Sequence, residues 1–177
     1  DEKSYQPDSR IVDLIADFGV AATYSDRIIT LRKADGAKAR LPRSVAYDFN
    51  ATPDLVPIMA VMCCILGVEF RFSGIGHLRL KESDRIEAIV RELSKCGYSL
   101  GYDDDSIYWQ GICKNVADSP HIDTHSDHRI AMAFALMAQT MELSISEPEV
   151  VSKSYPTFWA DLQRYGTAAA LAKMVKR

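Results

Sequence analysis

Apolar residues recur at helical spacing in two stretches of the chain that resemble each other. The first set comprises Ile11, Ile15 and Phe18, and the second comprises Ile89, Leu93 and Cys96. Gly19 follows the first set and Gly97 the second, and 89 − 11 and 97 − 19 both give an offset of 78. Glycine suits a helix C-terminus because it adopts a positive φ at little cost. The pattern therefore predicts two equivalent helices in a duplicated sequence.

A β-hairpin is predicted after each of these helices. In the first copy the strands 20–24 and 27–31 flank Ser25-Asp26, and in the second the strands 98–102 and 106–110 flank an acidic turn at 103–105. Short strand-like segments separated by a polar turn are typical of hairpins. The duplication therefore extends beyond the helices.

A second kind of helix, apolar on nearly every face, also occurs twice. The runs 55–66 and 130–141 follow Asp54 and Asp127, and 127 − 54 gives an offset of 73. Each aspartate is at a plausible N-cap position, where its carboxylate would accept hydrogen bonds from free backbone N–H groups. Pro57 falls in the first turn, where its missing N–H does no harm. Both helices are expected to be buried because neither has a polar face.

A strand-like segment follows each buried helix, at 68–72 and at 142–146. The chain is therefore predicted to form one α+β domain, 1–177, with internal repeats at roughly 8–80 and 84–156. The tail from Thr167 onward, rich in alanine and lysine, is predicted to be a closing helix.

Composition and charge exclude several classes of protein. The chain has 177 residues, 47% apolar and 25% charged, which is typical of a globular domain. A net charge of −3 gives no basic excess and argues against a nucleic-acid partner.

The longest apolar run, 55–68, is shorter than the roughly 20 residues that span a bilayer. No signal peptide precedes it, so no membrane association and a cytoplasmic location are expected. The chain lacks an initiator methionine and is expected to be part of a longer protein.

Four cysteines do not make a disulfide framework in a chain of this length. Cys63 and Cys64 are adjacent inside an apolar run, and no CxxC spacing suggests a zinc site. This usage indicates a reducing compartment.

The densest group of charged residues is 79–85, at the predicted start of a helix. One interpretation is a solvated helix start capped by Ser83 or Asp84. The other is an anion site, because three cations within seven residues lie where free N–H groups and the helix dipole already favour negative charge.

A second charged group, 126–129, lies at the start of the other buried helix. Arg129 there would lie beside a wholly apolar element, where a guanidinium binds an oxyanion strongly. Just upstream, alternation along a strand would place His121, Asp123 and His125 on one face, as in a metal site. The favoured interpretation is a polar segment leading into the helix, with no bound metal.

Lys153 lies between two serines, before an aromatic residue and a proline, and could belong to an ordinary loop. However, 153 − 81 gives an offset of 72, close to the repeat, so Lys81 and Lys153 are expected to supply cations to one cleft. Asp54 is a further candidate, although helix capping alone would explain an aspartate at its position.

These groups, in this order, resemble EPSP synthase. The strings LRLKESDR at 78–85, DHRIAMA at 127–133 and SKSYP at 152–156 are similar to the family's C-terminal signatures, and Asp54 matches an upstream acidic position. The resemblance implies the enolpyruvyl transferase fold of repeated βαβαββ units, of which this chain would hold about two. It also implies a second, N-terminal domain as partner, which supplies most contacts to shikimate 3-phosphate.

The resemblance assigns catalytic roles to three residues. Asp54 would accept the proton of the 5-hydroxyl of shikimate 3-phosphate as that oxygen attacks C2 of phosphoenolpyruvate. Lys81 would contact the same hydroxyl. Glu82 would protonate the methylene carbon and later help to remove a proton as phosphate leaves. This chemistry needs an ionised base and a protonated acid together.

The resemblance assigns substrate binding to five residues. Arg85, Arg129 and Lys153 would hold the phosphate and carboxylate of phosphoenolpyruvate, and His128 would lie beside them. His77 stands where many members carry asparagine, and it would contact shikimate 3-phosphate. No metal or organic cofactor is implied, and this segment alone should bind phosphoenolpyruvate weakly and should not turn over.

Two alternatives remain at this stage. The related UDP-N-acetylglucosamine enolpyruvyl transferase shares the architecture, but the strings quoted above are more similar to EPSP synthase. The other alternative is a non-catalytic module that binds an anion. The presence together of Asp54, Glu82 and both lysines argues against it.

Overall fold

The computed structural model describes residues 5–26, 28–36, 40–116, 119–165 and 174–175. Its α-helices are α1 (Ile11–Ala16), α2 (Val56–Leu66), α3 (Arg85–Lys95), α4 (His128–Ala135) and α5 (Phe158–Tyr165). Its strands are β1 (Val20–Ser25), β2 (Ile28–Lys33), β3 (Ser44–Asp48), β4 (Glu69–Ser73), β5 (Gly101–Tyr102), β6 (Ser106–Trp109), β7 (His121–Ile122), β8 (Leu143–Ile145) and β9 (Met174–Val175). Among the described residues, short 3₁₀ segments connect them at Pro7–Arg10, Pro53–Leu55, Gly76–Leu80, Leu136–Gln139 and Pro148–Lys153.

The four predicted helices and both hairpins are confirmed, with shorter bounds in places. Gly19 and Gly97 have φ of 78° and 92°, as expected for glycines that follow a helix. Strands β1 and β2 pair antiparallel, and so do β5 and β6. The second buried helix ends at Ala135 and continues as a 3₁₀ turn to Gln139, so the apolar run does not form one continuous α-helix.

Strands β3 and β7 lie outside the predicted repeat unit, and they complete the topology. Strand β3 pairs parallel with β4, and β7 pairs parallel with β8, so each buried helix is a crossover between parallel strands. The order helix, hairpin, strand, buried helix, strand occurs twice along the chain. A repeat of the pattern was visible in the sequence, but β7 is only two residues long and does not extend through 121–125.

Strand pairing also joins the two halves of the described structure. Strand β4 pairs antiparallel with β6, which gives a four-stranded sheet of order β3-β4-β6-β5. Strands β7, β8 and β9 form a second sheet, and β1-β2 forms a third. The second hairpin therefore extends the sheet of the first half, and the charged segments of both halves are held in one body.

The core lies between the four-stranded sheet and helices α2, α3 and α4. Helix α2 is buried along most of its length, as its lack of a polar face predicted. Helix α3 buries one face, and Asp84 caps it by accepting a hydrogen bond from the amide of Glu87 at 3.0 Å. The largest side chains with no exposed surface include Phe49, Phe72 and Phe134. This packing fixes the starts of the three helices relative to one another.

Three further predictions can be compared with the described residues. Residues 167–173 of the predicted closing helix lie outside them, and Met174–Val175 pair with β8 as a strand instead of continuing a helix. All four cysteines are free thiols. Within the described ranges, no helix combines the length and the apolar character needed to cross a membrane.

Candidate functional site

Charged side chains meet where three helices begin. Helices α2, α3 and α4 pack against one another. Asp54 lies two residues before α2, Arg85 is the first residue of α3, and Asp127 caps α4. The free N–H groups and the dipole of a helix N-terminus favour negative charge. Three such termini in one place therefore favour the binding of an anion.

Arg85 is at the centre of this site. Its guanidinium donates from Nε to Asp127 Oδ2 at 2.6 Å and from Nη2 to Asp127 Oδ1 at 3.3 Å. Its Nη1 donates to Asp54 Oδ1 at 2.7 Å. Only 3% of Arg85 is exposed, and Asp127 is fully buried. One guanidinium thus ties the starts of all three helices together.

Both members of the Arg85–Asp127 pair have perturbed pKa values. Burial would lower the pKa of Arg85, but the hydrogen bonds and charges of Asp127 and Asp54 raise it above its ordinary value. Burial would likewise raise the pKa of Asp127, but the hydrogen bonds and charge of Arg85 hold it below its ordinary value. Each partner keeps the other charged, which is what a fixed anchor in the site requires.

Asp54 does not cap α2, so that interpretation of the sequence is wrong. The 3₁₀ turn Pro53–Leu55 precedes the helix, and no side chain caps either element. Asp54 instead lies among three cations: Arg85 at 2.7 Å, Arg129 Nη2 at 2.9 Å and Lys81 Nζ at 3.7 Å. A carboxylate forms stronger hydrogen bonds with charged groups than with backbone amides, which accounts for this orientation.

Glu82 lies on the other side of Arg85. Its Oε1 is 3.0 Å from Lys153 Nζ, and its Oε2 is 3.0 Å from His128 Nδ1 and 3.7 Å from Arg85 Nη2. Two carboxylates, Asp54 and Glu82, therefore contact the same guanidinium through different nitrogens. They are the two groups to which the family resemblance assigns the roles of base and acid.

The structure brings together seven of the eight predicted site residues. They are Asp54, Lys81, Glu82, Arg85, His128, Arg129 and Lys153. The eighth, His77, is half-buried in the turn Gly76–Leu80, and no described hydrogen bond or ion pair joins it to the others. The lysines predicted to share a cleft contact the two neighbouring carboxylates, Lys81 at Asp54 and Lys153 at Glu82.

Two residues of the site were missed. Asp127 was predicted only as a helix cap, and it does accept from the amide of Arg129 at 2.9 Å, but it also holds Arg85. Asp8 Oδ2 lies 3.2 Å from Arg129 Nη1, across 121 residues of sequence. The position of Asp127 next to His128, a predicted site residue, could have marked it as part of the site. No local feature of the sequence marks Asp8.

The site contains as many carboxylates as cations. Asp8, Asp54, Glu82 and Asp127 face Lys81, Arg85, Arg129 and Lys153. Apart from Asp127, these carboxylates are partly exposed, and so are three of the cations. Exposed ion pairs are weak and exchange partners readily. An incoming phosphate or carboxylate could therefore take over Arg129 or Lys153 from its present partner.

Glu82, Asp127 and His128 offer ligand atoms within 4.8 Å of one another, close enough for one metal ion. However, Arg85 contacts both carboxylates, Lys153 contacts Glu82, and Ser83 donates to Asp127 at 3.2 Å. A divalent cation would have to displace two positive side chains and a hydroxyl donor, so the donor set does not fit a metal.

The second candidate metal string does not form a ligand set either. Strand β7 ends at Ile122, so His121, Asp123 and His125 do not share a strand face. His121 Nδ1 lies 2.8 Å from Ser144 Oγ, and His125 Nε2 lies 3.1 Å from Glu92 Oε1. The interpretation of 121–125 as a polar segment leading into α4 fits these contacts.

The sequence matches the family model of EPSP synthase (3-phosphoshikimate 1-carboxyvinyltransferase) over residues 1–162. A 3-phosphoshikimate 1-carboxyvinyltransferase of Bacteroides fragilis is 44% identical over 165 residues, which cover 92% of this chain and 39% of the relative. That of Syntrophobacter fumaroxidans is 35% identical over 164 residues, or 91% of this chain and 37% of the relative. The chain thus spans well under half the length of these relatives.

A solved structure, the EPSP synthase of Acinetobacter baumannii, superposes with a TM-score of 0.66 at 23% identity. The match covers 88% of this chain and 38% of the solved chain. At this identity the likeness concerns the fold, and it confirms the predicted α+β enolpyruvyl transferase fold.

Proposed function

Because the chain belongs to the EPSP synthase family, we propose that it forms part of the active site for enolpyruvyl transfer. In this reaction the 5-hydroxyl of shikimate 3-phosphate attacks phosphoenolpyruvate, and phosphate leaves. The observation that carries the proposal is that Asp54 and Glu82 contact the same guanidinium, that of Arg85, where three helices begin and where Lys81, Arg129 and Lys153 also lie. Acid–base chemistry on anionic substrates needs this combination.

Asp54 is the proposed base for the first step. It would accept the proton of the 5-hydroxyl while that oxygen forms its bond to C2 of phosphoenolpyruvate. Arg85, Arg129 and Lys81 surround the carboxylate of Asp54 and hold it in a fixed position for that role. Lys81, at 3.7 Å, is near enough to Asp54 to contact the same hydroxyl.

Glu82 is the proposed acid. It would give a proton to the methylene carbon C3 as the C2–O bond forms, which produces a tetrahedral intermediate. When phosphate leaves C2, a proton is lost from C3 and the double bond is restored, with Glu82 available to accept that proton. His128, 3.0 Å from Glu82, can exchange a hydrogen bond or a proton with it.

Arg85, Arg129 and Lys153 are the proposed anion ligands. Arg129 and Lys153 are partly exposed and each contacts a carboxylate, so a substrate phosphate or carboxylate can replace that partner. Arg85 differs because its pairing with Asp127 is buried. It would hold its position while presenting Nη1 and Nη2 to the reacting groups. His77 stays a predicted contact to shikimate 3-phosphate.

The remaining part of the protein is the proposed partner of this site. The relatives are more than twice as long as the matched segment, and we infer that the other portion binds most of shikimate 3-phosphate. This segment alone should then bind phosphoenolpyruvate weakly and should not turn over. The single-domain boundary, the two repeats and the cytoplasmic location stay predictions.

A chimera would test the proposal directly. In it, the matching segment of the Bacteroides fragilis relative, 44% identical, is replaced by this chain. Phosphate release is measured with phosphoenolpyruvate and shikimate 3-phosphate.

Asp54→Asn and Glu82→Gln preserve the shape of the side chain and remove its charge, and each should lower kcat of the chimera by about 10²-fold or more. Asp104→Asn and Glu87→Gln, both at exposed positions, are the matched controls and should leave kcat unchanged.

Each alternative predicts a different result in the same assay. A UDP-N-acetylglucosamine enolpyruvyl transferase would release phosphate only when that nucleotide sugar replaces shikimate 3-phosphate. A non-catalytic anion-binding module would bind phosphoenolpyruvate but release no phosphate from a well-folded chimera. Release that is unaffected by both active-site substitutions would overturn the assignment of base and acid.

A further inference from the structure

A second buried charged group lies outside the site, at Glu92 on α3. Its carboxylate has no exposed surface. Oε2 accepts from Lys95 Nζ at 2.6 Å and from the amide of Asp123 at 3.0 Å, and Oε1 lies 3.1 Å from His125 Nε2. A buried carboxylate is costly unless its oxygens are fully hydrogen-bonded, and here two of its three partners belong to the segment between β7 and α4.

That segment turns sharply just before α4. His125 and Ser126 have φ of 52° and 54°, so two consecutive residues with side chains adopt the left-handed conformation. Such residues persist only where the surroundings hold them in place. Asp123 Oδ1 accepts from the amide of His125 at 2.8 Å, and the amide of Asp127 donates to the carbonyl of Thr124 at 2.9 Å. The turn is thus closed by short hydrogen bonds.

Glu92 is the anchor that attaches this turn to α3. It binds the turn at two points, the amide of Asp123 and the ring of His125. Lys95 adds a third link, because its Nζ also donates to the carbonyl of His121 at 3.0 Å. The residues immediately after the turn are Asp127, His128 and Arg129, so a shift of the turn would move all three.

We propose that Glu92 is a positioning residue that holds His128 and Arg129 in place for phosphoenolpyruvate, through its contacts with Asp123 and His125. The inference rests on the proposed function of the site. It explains why α3 places a carboxylate in its buried face, at a position where an apolar residue would pack without needing partners. Glu92 does not contact the substrate in this scheme and acts through the turn.

The chimera defined above separates this role from a merely structural one. In Glu92→Gln, KM for phosphoenolpyruvate should rise about tenfold, equivalent to about 1.4 kcal/mol of binding. KM for shikimate 3-phosphate should change by less than about twofold, since the rest of the protein is proposed to bind it. Loss of stability alone would reduce the amount of active enzyme without raising KM for one substrate. Glu87→Gln, on the exposed face of α3, is the matched control.

A pair of substitutions at His125 keeps the test valid if Glu92→Gln does not fold. His125→Gln retains a side-chain donor for Glu92, whereas His125→Leu does not, and the backbone strain is the same for both. The leucine variant should show the selective rise in KM for phosphoenolpyruvate, and the glutamine variant should largely restore the parent value. Equal rises for both substrates, equal KM values for the two His125 variants, or no change in any variant of an active chimera would overturn the inference. An inactive parent chimera would instead overturn the proposed function.

Discussion

Arg85 and Asp127 form a two-bond ion pair that is buried between α3 and α4, with N···O distances of 2.6 and 3.3 Å. The same guanidinium also contacts the two proposed catalytic carboxylates, because Arg85 holds Asp54 at 2.7 Å and approaches Glu82 at 3.7 Å. A buried pair of this kind contributes more to geometry than to net stability, since the desolvation of both ions offsets much of their attraction. Removing only one partner, however, leaves the other charge buried and unpaired, which destabilises the folded protein.

Asp127→Asn should destabilise the protein strongly. The asparagine can still cap α4 through its side-chain oxygen, but it leaves the buried charge of Arg85 without its main partner. Breaking a buried pair in this way costs about 3–5 kcal/mol. Urea unfolding followed by circular dichroism would measure the change in the free energy of unfolding.

The matched control for that substitution is the exposed pair of Arg91 and Glu87, which are 3.4 Å apart on the surface of α3. Glu87→Gln also removes one negative charge, from the exposed surface of the helix that carries Arg85, and should cost no more than about 0.5 kcal/mol. A similar loss in both variants would contradict the view that burial makes the Arg85–Asp127 pair important.

Acidification should remove the stabilisation that Asp127 contributes. Burial alone would raise its pKa, but Arg85 holds the folded-state pKa below the ordinary value of 3.8. The folded chain therefore binds fewer protons than the unfolded chain between these two pKa values. The contribution of Asp127 to the free energy of unfolding is complete above about pH 4. It is lost as the pH falls through the folded-state pKa of Asp127.

Urea unfolding from about pH 6 to about pH 2 would measure this effect. The free energy of unfolding of the parent chain should decrease on acidification, and the curve for Asp127→Asn should be flatter. Parallel curves for the two proteins would show that another group controls the acid transition.

Much of the site could be predicted from the sequence because its residues lie at helix starts, which carry local signals. Asp84 and Asp127 cap their helices as expected, and the apolar runs behind them are buried. Asp54 shows where local reasoning fails. Its position fits a cap, but its carboxylate turns to Arg85, a residue 31 positions away, and no local pattern encodes that partner.

The remaining differences also arise from contacts that are distant in sequence. Strands β3 and β7 pair in parallel with β4 and β8, which lie beyond a whole helix in the sequence, so their partners cannot be found from local periodicity. The string from His121 to His125 resembled a strand, but Glu92 on α3 draws Asp123 and His125 into a turn. The chemistry of these residues was visible in the sequence, whereas their geometry depends on tertiary contacts.

Asp8→Asn should strengthen the binding of phosphoenolpyruvate. The side chain of Asp8 is 43% exposed, and its carboxylate lies 3.2 Å from Arg129, a proposed ligand of the substrate anion. The two anions would compete for one guanidinium. Because an exposed ion pair contributes about 0.2–1 kcal/mol, KM for phosphoenolpyruvate in the chimera should fall about two- to fivefold at most.

Asp13→Asn, at an exposed position of α1, is the control for the loss of one negative charge near the N-terminus. It should leave KM for phosphoenolpyruvate unchanged. If both variants lower KM equally, the effect comes from net charge and not from the contact with Arg129. A rise in KM for Asp8→Asn would show instead that Asp8 holds Arg129 in its productive position.

The four cysteines should differ sharply in reactivity. Burial raises the pKa of Cys63 and of Cys96 to about 12, and it raises that of Cys64 as well. With a pKa of 12, only about one thiol in ten thousand is ionised at pH 8, and the thiolate is the reactive form. Cys113 is exposed. A maleimide should therefore label one thiol quickly in the native chain and three more in urea, and Cys113→Ser should abolish the fast label. Fast labelling of a second thiol would mean that the buried helices open under native conditions.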